Sequence, residues 1–324
     1  MRMPAEFAPH ERTVMCWPTR QEMYGARIGE ARRAHATVAK TISGFEPVTM
    51  IANAADVDAA KALCGDTVDV VALPIDDSWF RDSGPIYITD GNKRTGTCWQ
   101  FNSWGEKFVP YDNDAKIAAA WLQSQGETSR KVNMVLEGGS ITTNGDGLLV
   151  TTEQCLLNKN RNPTLSRFEI EARLCNELGQ ERIIWLPHGL YLDDDTDGHV
   201  DNVAAFASET VLVLQGCDDQ REPDHQRLAT NRSIAESAGV TVREIPVLPF
   251  AKVDGHRVVV PYLNFYIVNG GVIVPVCGHA ADDDMLALIS GWFPNRQVVG
   301  LDVGEILAYG GGGIHCITQQ VPAI

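Results

Sequence analysis

Five copies of one strand–hairpin–helix pattern run along most of the chain, and this repetition limits the folds that the chain can adopt. In each copy a β-rich run leads to a polar or acidic segment, then to a hairpin, and then to an amphipathic or alanine-rich helix. Asp-Gly, Asn-Gly and Gly-Gly steps are the most specific signals, because tight hairpin turns require such residues. We place the β-rich runs at residues 67–73, 132–136, 182–186, 242–248 and 297–301, and the hairpins at 84–100, 140–152, 203–215, 263–276 and 305–319.

The helices of the repeat indicate how the chain closes on itself. The first four hairpins are each followed by a predicted helix, at residues 114–125, 164–178, 225–237 and 282–290. For the fifth unit we expect residues 30–43 to supply the helix, with residues 48–52 as an extra or shared strand. Five such units in circular order predict an α/β fold that closes as a propeller of modules, because a doubly wound sheet would alternate single strands and helices. No linker interrupts the pattern, so we predict one domain, residues 1–324.

Candidate catalytic residues fall at one shared point of the repeat, directly before the hairpin. Asp82 precedes the first hairpin, Glu137 the second, and His199 with Asp201 the third. A circular arrangement would bring these positions together around one axis. In the last unit, Cys316 follows a run of glycines, where backbone can approach a ligand closely. A cysteine, a histidine and carboxylates that converge form the set that nucleophilic catalysis requires.

Three other interpretations of these residues are less favoured. The glycine run could cradle phosphate, but no Lys-Ser or Lys-Thr follows it, which excludes a P-loop. His315 neighbours Cys316 on an expected strand, so the two side chains would point to opposite faces, and we expect His315 to be structural. A metal site on His199 and Asp201 lacks an HExxH motif or any three-ligand spacing. We therefore expect no metal.

Composition narrows the partners of the chain. There are 42 acidic and 27 basic side chains, and the formal net charge of −15 argues against nucleic acid or an anionic membrane as partner. Paired carboxylates instead suit a small cation, and a planar guanidinium offers them five N–H donors. No apolar run reaches the ~18 residues of a membrane span. Eight scattered cysteines without CxxC spacing, and no signal-peptide pattern, predict reduced thiols and a cytoplasmic location.

Several blocks of sequence resemble the agmatine deiminases, which are similar to peptidyl-arginine deiminases and belong to the guanidine-modifying, or pentein, superfamily. The similarity runs from about residue 17 to residue 322. It implies the pentein α/β-propeller, five pseudo-symmetric modules around a central channel, in agreement with the five units above. The blocks are DSWFRDSGP (77–85), LEGGS (136–140), CLLNKNRNP (155–163), DTDGHVDN (195–202), NFY (264–266) and IHCITQQ (314–320).

The resemblance also implies a role for each candidate catalytic residue. Cys316 would attack the guanidinium carbon, and His199 would protonate the departing ammonia and then activate the hydrolytic water. Asp82 and Asp201 would hold the guanidinium nitrogens, while Glu137 would support His199 and the substrate charge. The product from agmatine would be N-carbamoylputrescine, and the reaction would need no metal and no organic cofactor.

The sequence departs from the family where the substrate is selected. The usual Asn before Ile-His-Cys is Gly313 here, Leu192 replaces a glycine, and the connection over residues 247–262 is shorter. Trp79 and Gly313 are expected to contact the substrate. The distal ammonium of agmatine would need a carboxylate at the mouth of the site, and Asp194, in the middle of an acidic triplet, is the candidate.

These departures leave the exact substrate open. Alternatives to agmatine are peptidyl-arginine, a methylated guanidine, or a nitro-imidazole that loses nitrite, all planar amidine-like groups that the same chemistry could attack. A propeller without enzymatic activity is the least favoured alternative, because the complete catalytic set is present. The sequence also leaves homo-oligomerisation open.

Overall fold

The computed structural model describes all 324 residues, and its strands form five sheets and one separate two-stranded hairpin. The hairpin consists of the thirteenth and fourteenth strands, and in the sequence it lies between the twelfth and fifteenth strands, which belong to two different sheets. The strands are β1 (His10–Cys16), β2 (Val48–Ala52), β3 (Val68–Ala72), β4 (Ile86–Thr89), β5 (Arg94–Gln100), β6 (Ser129–Val135), β7 (Ile141–Thr143), β8 (Leu148–Thr152), β9 (Arg182–Leu186), β10 (Ala204–Phe206), β11 (Val211–Gln215), β12 (Thr241–Ile245), β13 (Phe250–Val253), β14 (His256–Val259), β15 (Tyr266–Val268), β16 (Gly271–Val276), β17 (Gln297–Asp302) and β18 (Thr318–Pro322).

Eleven α-helices connect or flank these strands, and no helix is long and apolar enough to cross a membrane. Short 3₁₀ turns at Gly25–Arg27, Gly138–Ser140 and Val200–Asn202 add to them. The helices are α1 (Gln21–Tyr24), α2 (Ile28–Ser43), α3 (Val57–Cys64), α4 (Phe80–Ser83), α5 (Ser103–Glu106), α6 (Asp114–Ser124), α7 (Glu153–Leu156), α8 (Arg167–Leu178), α9 (Pro223–Ser237), α10 (Asp282–Ser290) and α11 (Gly304–Tyr309).

One connection pattern builds the sheets. β4 pairs antiparallel with β5, and α6 then leads to β6, which lies parallel to β5. A helix is needed there because parallel neighbours cannot be joined by a tight turn. The same order recurs in β7–β8–β9, β10–β11–β12 and β15–β16–β17, with α8, α9 and α10 as the crossover helices. The chain therefore has the α/β fold that its repeats predict.

The structure corrects the starting point of the repeat. The run at residues 132–136 was expected to begin a unit, but its strand, β6, pairs with β5 of the hairpin before it. β9, β12 and β17 likewise complete the preceding sheet. The repeating unit is thus hairpin–helix–strand, a phase that local patterns do not fix because strand pairing is a long-range interaction.

The predicted fifth hairpin, residues 305–319, is wrong. Residues 304–309 form α11, as expected of the helix-forming residues Glu, Leu and Ala in this segment, and only β18 follows as a strand. β18 pairs antiparallel with β1, for example Thr13 with Gln320. These two strands, from opposite ends of the sequence, form the antiparallel pair that a hairpin supplies in the other sheets. α2 and β2 then complete this sheet as predicted for residues 30–43 and 48–52, and β3 extends it.

The helix α8 shows how the sequence sets the limits of a crossover element. Ser166 accepts a hydrogen bond from the Glu169 backbone, and the Glu169 side chain accepts one from the Ser166 backbone, which forms a capping box. Gly179 ends the helix with φ at 65°, a left-handed conformation that glycine adopts without strain. Each of these signals is local to one end of the helix, and the predicted end at residue 178 is confirmed.

The largest apolar core surrounds β1, β2 and α2. All five residues of β2 are buried, as in strands that are covered on both faces. α2 buries Ala31, Val38 and Ile42 on one face at helical spacing. Cys316 belongs to this same core, so packed apolar side chains hold the turn on which it lies.

Candidate active site

Five turns carry the candidate residues, and each turn directly precedes the first strand of a hairpin. In the fifth sheet, β18 and β1 form the antiparallel pair, and β18 takes the place of a hairpin's first strand. Cys316, just before β18, therefore has the same position as the other candidates. Asn264 fills the fourth place, to which the sequence analysis assigned no function. In chain order, Asp82 precedes β4, Glu137 precedes β7, His199 and Asp201 precede β10, Asn264 precedes β15, and Cys316 precedes β18.

The first three turns contact one another. The Gly139 N–H donates to Asp82 Oδ1 at 2.9 Å, which joins the first turn to the second. Polar atoms of Glu137 and His199 lie within 4.8 Å of each other, and His199 Nδ1 is 3.8 Å from Asp82 Oδ1. The expected convergence of these side chains is therefore present in the structure.

The remaining turns close the set of contacts. Asn264 Nδ2 donates to the Asp201 carbonyl oxygen and to Cys316 Sγ, at 3.3 Å in both cases. The backbone N–H of Arg81, next to Asp82, donates to the Cys316 carbonyl oxygen at 3.3 Å. Contacts thus link the five turns in succession, from the first to the fifth and from the fifth back to the first.

Cys316 is buried among acceptors and held as a neutral thiol. Its Sγ donates to Asp201 Oδ2 at 3.4 Å, and only 3% of the residue is exposed. Burial, followed by the charges of Asp201 and Asp82, raises the pKa of the Cys316 thiol well above its usual value. A cation placed between the two carboxylates would offset their charge and favour the thiolate.

Asp82 is fixed in orientation by two donors. Oδ1 accepts the Gly139 N–H, and Oδ2 accepts the indole N–H of Trp104 at 2.9 Å. Burial has the largest effect on the pKa of Asp82 and raises it, and the charges of Asp201 and Glu137 raise it further. The buried carboxylates of Asp82, Glu137 and Asp201 need a positive charge beside them. Protonated His199 supplies such a charge.

Glu137 is paired with an arginine that the sequence analysis did not single out. Arg161 Nε donates to Glu137 Oε1 at 2.6 Å, and neither side chain is exposed. Arg161 also donates to Asp197 at 2.7 Å, which anchors the loop before His199. Glu137 Oε2 has no partner and stays available on the other side. Arg161 lies in the CLLNKNRNP block, so the family resemblance was the only signal for it.

His199 has the environment of a proton donor. Its ring is fully buried, and neither ring nitrogen has a hydrogen-bond partner. Burial lowers its pKa, but the charge of Asp82 and then Cys155 and Glu137 raise it well above the usual value. The imidazolium form is therefore favoured, and its N–H groups are free to donate to a ligand.

Gly139 packs closely against these groups. A Cβ atom at this position would lie 2.6 Å from His199 Nδ1, 2.8 Å from Asp82 Oδ1 and 2.9 Å from Asp201 Oδ2, so only glycine fits there. Both ring nitrogens of His199 and Glu137 Oε2 are buried without hydrogen-bond partners. Asp201 Oδ1 is also buried without a partner. The arrangement suits a flat ligand that is rich in N–H donors.

A narrow cavity reaches Asp82 and Cys316. Trp79 and Trp104 contribute aromatic walls to it, and Asp195 adds a further polar group. Trp79 therefore lies at the cavity, and its contact with the substrate stays a prediction. A wider cavity of about 330 Å³ lies beside it and shares Asp195 with it, so a ligand could extend from one into the other.

The acidic triplet is arranged differently from the prediction. Asp194 and Asp195 are both exposed, but Asp195 lines both cavities and Asp194 lines neither. Asp193 accepts from the His199 and Thr196 backbone N–H groups, at 3.1 and 3.0 Å, and so shapes the loop that carries His199. Sequence alone could not separate the three, because loop geometry decides where each side chain points.

Gly313 lies beside the nucleophile rather than on the cavity wall. It is buried and does not line either cavity next to Cys316. A Cβ atom there would be 2.3 Å from Asn264 Oδ1, so any side chain would displace Asn264, which contacts the Cys316 thiol. The glycine therefore maintains the position of Asn264.

His315 does not have the environment expected of it. Residues 314–317 form a turn, so the strand alternation expected for His315 and Cys316 does not apply. His315 Nδ1 lies 2.8 Å from Asp201 Oδ2, the oxygen that also accepts from Cys316. The histidine is in direct contact with the site.

One group of side chains has the composition of a metal site. Glu137, Cys155 and His199 are buried, and each offers an atom within 4.8 Å of the others. From the sequence, the pair considered for a metal was instead His199 with Asp201. Arg161 already occupies one oxygen of Glu137, which weakens this group as a ligand set. That the reaction needs neither metal nor cofactor stays a prediction.

Comparison with known proteins agrees with this geometry. A putative agmatine deiminase of Legionella pneumophila is 40% identical over 99% of this chain and 95% of its own length. An agmatine deiminase of Pseudomonas aeruginosa is 41% identical, with the same coverage. The agmatine deiminase structure of Enterococcus faecalis superposes with a TM-score of 0.93 at 31% identity, over 99% of this chain and 95% of its own.

A second structure contains a ligand. It is a cysteine-to-serine variant of Campylobacter jejuni agmatine deiminase with substrate bound, at a TM-score of 0.92 and 27% identity over 98% of this chain and 95% of its own. The family description that matches residues 2–322 is the Porphyromonas-type peptidyl-arginine deiminase. The match covers nearly the whole chain, and we conclude that this protein belongs to the Porphyromonas-type peptidyl-arginine deiminase family.

Proposed function

We propose that this chain hydrolyses agmatine to N-carbamoylputrescine and ammonia through a covalent intermediate on Cys316. The observation that carries the proposal is a set of buried polar atoms without partners, namely both ring nitrogens of His199, Glu137 Oε2 and Asp201 Oδ1. The Cys316 thiol lies beside them and donates to the other oxygen of Asp201. A guanidinium can donate to Asp82 and Asp201 at once and present its carbon to the sulfur. The names of the relatives support the same hydrolysis of a guanidino C–N bond.

In the first half of the reaction, the cationic substrate creates its own nucleophile. Its charge between Asp82 and Asp201 offsets the carboxylates that raise the thiol pKa, so Cys316 loses its proton to solvent. The thiolate attacks the guanidinium carbon. His199 donates a proton to the departing nitrogen, which leaves as ammonia, and an amidino-thioether on Cys316 remains.

In the second half, water replaces the sulfur. His199, now neutral, accepts a proton from a water molecule that attacks the same carbon. The C–S bond breaks and the thiolate is restored, while the added oxygen releases its remaining proton to solvent as the carbonyl of the carbamoyl product forms. That proton converts the released ammonia to ammonium. Glu137 stabilises the imidazolium that results from this proton transfer. The sum of the two halves is one agmatine cation and one water giving N-carbamoylputrescine and ammonium.

We also propose that residues 1–324 form one domain in which the five sheets surround the active site as a propeller. The cyclic contacts among the five turns support this arrangement, because equivalent positions of five like modules meet only around a common axis. The hydrogen bond from Asn264 to Cys316 and that from Arg81 back to Cys316 join the last module to its two neighbours.

For cellular context we propose a cytoplasmic enzyme whose partner is the small cation. All eight cysteines are unpaired in the structure, which fits a reducing compartment. The acidic surface charge disfavours nucleic acid and anionic membranes.

The assay that tests the function compares guanidino compounds. We expect kcat/KM for agmatine to exceed that for free arginine, a peptidyl-arginine and a methylated guanidine, with one ammonia and one N-carbamoylputrescine formed per turnover. Peptidyl-arginine deserves inclusion because the family is described by that activity. If peptidyl-arginine were the better substrate, the agmatine assignment would be wrong and the Cys316 chemistry would stand. The nitro-imidazole alternative receives no support from the relatives.

Replacing Asp195 tests how the substrate tail is held. The distal ammonium of agmatine needs an anion at the cavity, and Asp195 lines it. We expect Asp195→Asn to raise KM for agmatine by about tenfold, the scale of a lost charged hydrogen bond, with little change in kcat. Asp194→Asn is the matched control, since it removes the same charge from the exposed neighbour and should change KM little. A guanidine with an uncharged tail should react equally well with all three proteins.

A further inference from the structure

A buried histidine connects the active site to the N-terminal segment. His315 Nδ1 lies 2.8 Å from Asp201 Oδ2, and His315 Nε2 lies 2.8 Å from Glu6 Oε2. Only 13% of the His315 side chain and 16% of the Glu6 side chain are exposed. Asp201, His315 and Glu6 thus form a carboxylate–imidazole–carboxylate row behind the nucleophile.

The geometry of this row fixes the charge of the ring. An ionised carboxylate only accepts hydrogen bonds, so a ring with a carboxylate oxygen at each nitrogen must donate from both. His315 is therefore an imidazolium. The contacts agree with the direction of the pKa shifts. Burial and Arg81 lower the pKa of His315, but the charge of Glu6 and hydrogen bonds to both carboxylates raise it overall.

Other charged or titratable groups also face the row. Arg81 Nη2 donates to Glu6 Oε2 at 3.2 Å, and the Ile267 N–H donates to Glu6 Oε1 at 2.9 Å. Burial would raise the pKa of Glu6, but His315 and then Arg81 lower it to about 2. The Tyr266 ring lies edge-on to His315, with the ring centres 6.5 Å apart. Glu6 is thus a permanent anion that keeps the imidazole charged.

The row acts on the two oxygens of Asp201 differently. Oδ2 accepts from His315 and from the Cys316 thiol, at 2.8 and 3.4 Å, whereas Oδ1 is buried and has no partner. The imidazolium therefore leaves one oxygen free for the substrate and offsets the negative charge beside the sulfur.

We propose that His315 is a positioning residue, which with Glu6 aims Asp201 at the guanidinium and makes the Cys316 thiolate easier to form. This role for His315 rests on the proposed function only because it takes Cys316 as the nucleophile. The residue acts through Asp201 and exchanges no proton with the substrate.

The test measures the thiol itself rather than turnover. In His315→Gln the cation beside Asp201 is lost, so the pKa of the Cys316 thiol should rise by about one unit or more. Alkylation of Cys316 by iodoacetamide at pH 7 should then slow by about tenfold, with its pH profile displaced to higher pH. Glu6→Gln, which removes one of the two carboxylates that hold the ring charged, should displace the profile in the same direction by less.

A matched control separates this role from a structural one. His35 is also a buried histidine, and its Nδ1 lies 2.9 Å from the Ala31 carbonyl oxygen on α2, with no hydrogen bond to the row. His35→Gln should lower the melting temperature without displacing the alkylation profile. An unchanged profile in folded His315→Gln, or an equal displacement in His35→Gln, would overturn the proposal.

A measurement on the wild type makes the proposal testable even if His315→Gln does not fold. Both ring nitrogens of His315 should show ¹⁵N NMR shifts of protonated imidazole at pH 7, above the usual pKa of histidine. A neutral ring at that pH would refute the proposal. Neither experiment uses agmatine, so failure of the agmatine assignment would leave both results interpretable.

Discussion

Cys316→Ser is expected to lower agmatine turnover by about 10⁴-fold or more, the scale on which enzymes respond to loss of a nucleophile. A serine hydroxyl stays neutral at the pH where a thiol can ionise, and nothing in the site removes its proton. The change replaces one buried side chain by another of similar size, so the melting temperature should stay close to that of the wild type. Steady-state assays of ammonia release measure the first quantity and thermal unfolding the second.

The identity of the nucleophile can be checked independently by labelling. A haloacetamidine carries the planar cation of the substrate, and mass spectrometry should find its adduct on Cys316. Cys175→Ser is a suitable control, since Cys175 is half-buried on α8 and should leave turnover unchanged. An adduct on another cysteine, or substantial turnover in Cys316→Ser, would place the nucleophile elsewhere.

His199→Ala should depress kcat by at least ~100-fold, because the leaving nitrogen loses its proton donor and the water loses its base. Substrate binding depends mainly on Asp82 and Asp201, so KM should change far less than kcat. The pKa of His199 is raised above the usual value by Asp82, against the effect of burial. In the wild type, His199 should therefore keep its acid form to higher pH than an ordinary histidine would. We expect kcat to decline with rising pH as that form is lost.

A control histidine shows whether the effect is specific. His225, half-buried at the start of α9, hydrogen bonds to the Cys217 carbonyl and lies outside the site. His225→Ala should leave kcat and its pH profile unchanged. If His199→Ala kept more than a tenth of the wild-type kcat, the proton transfers would have to be assigned to another group.

The sequence predicted the elements of the fold better than their pairing. Turns such as residues 90–92 and helices such as α10 carry local signals, and both lie where they were expected. The phase of the repeat was missed because pairing joins residues far apart in the chain. The glycine run after α11 resembled a hairpin turn, while the true partner of β18 was at the other end of the sequence.

The site followed the same rule. Asp82, Glu137, His199 and Asp201 were found because they share one position in a repeat, which is visible without coordinates. Cys316 was found because it follows a run of glycines. Glu6 and His315 are 309 residues apart, and no pattern in the sequence relates them. The selection of Asp195 over Asp194 depends on the direction of one loop side chain, which residue type does not determine.

The fifth sheet has a consequence for how the protein is made. β18, which directly follows the turn of Cys316, is the last of the eighteen strands to be synthesised, and its partner β1 is the first. The other four sheets can assemble before β18 has emerged from the ribosome, but the pocket of the nucleophile forms only once β18 pairs with β1. Chains that stop before β18 therefore carry no competent thiol. Because the two termini meet, a circular permutant that joins them and opens at the exposed turn near residue 91 would synthesise the Cys316 turn in the middle of the chain and remove this delay.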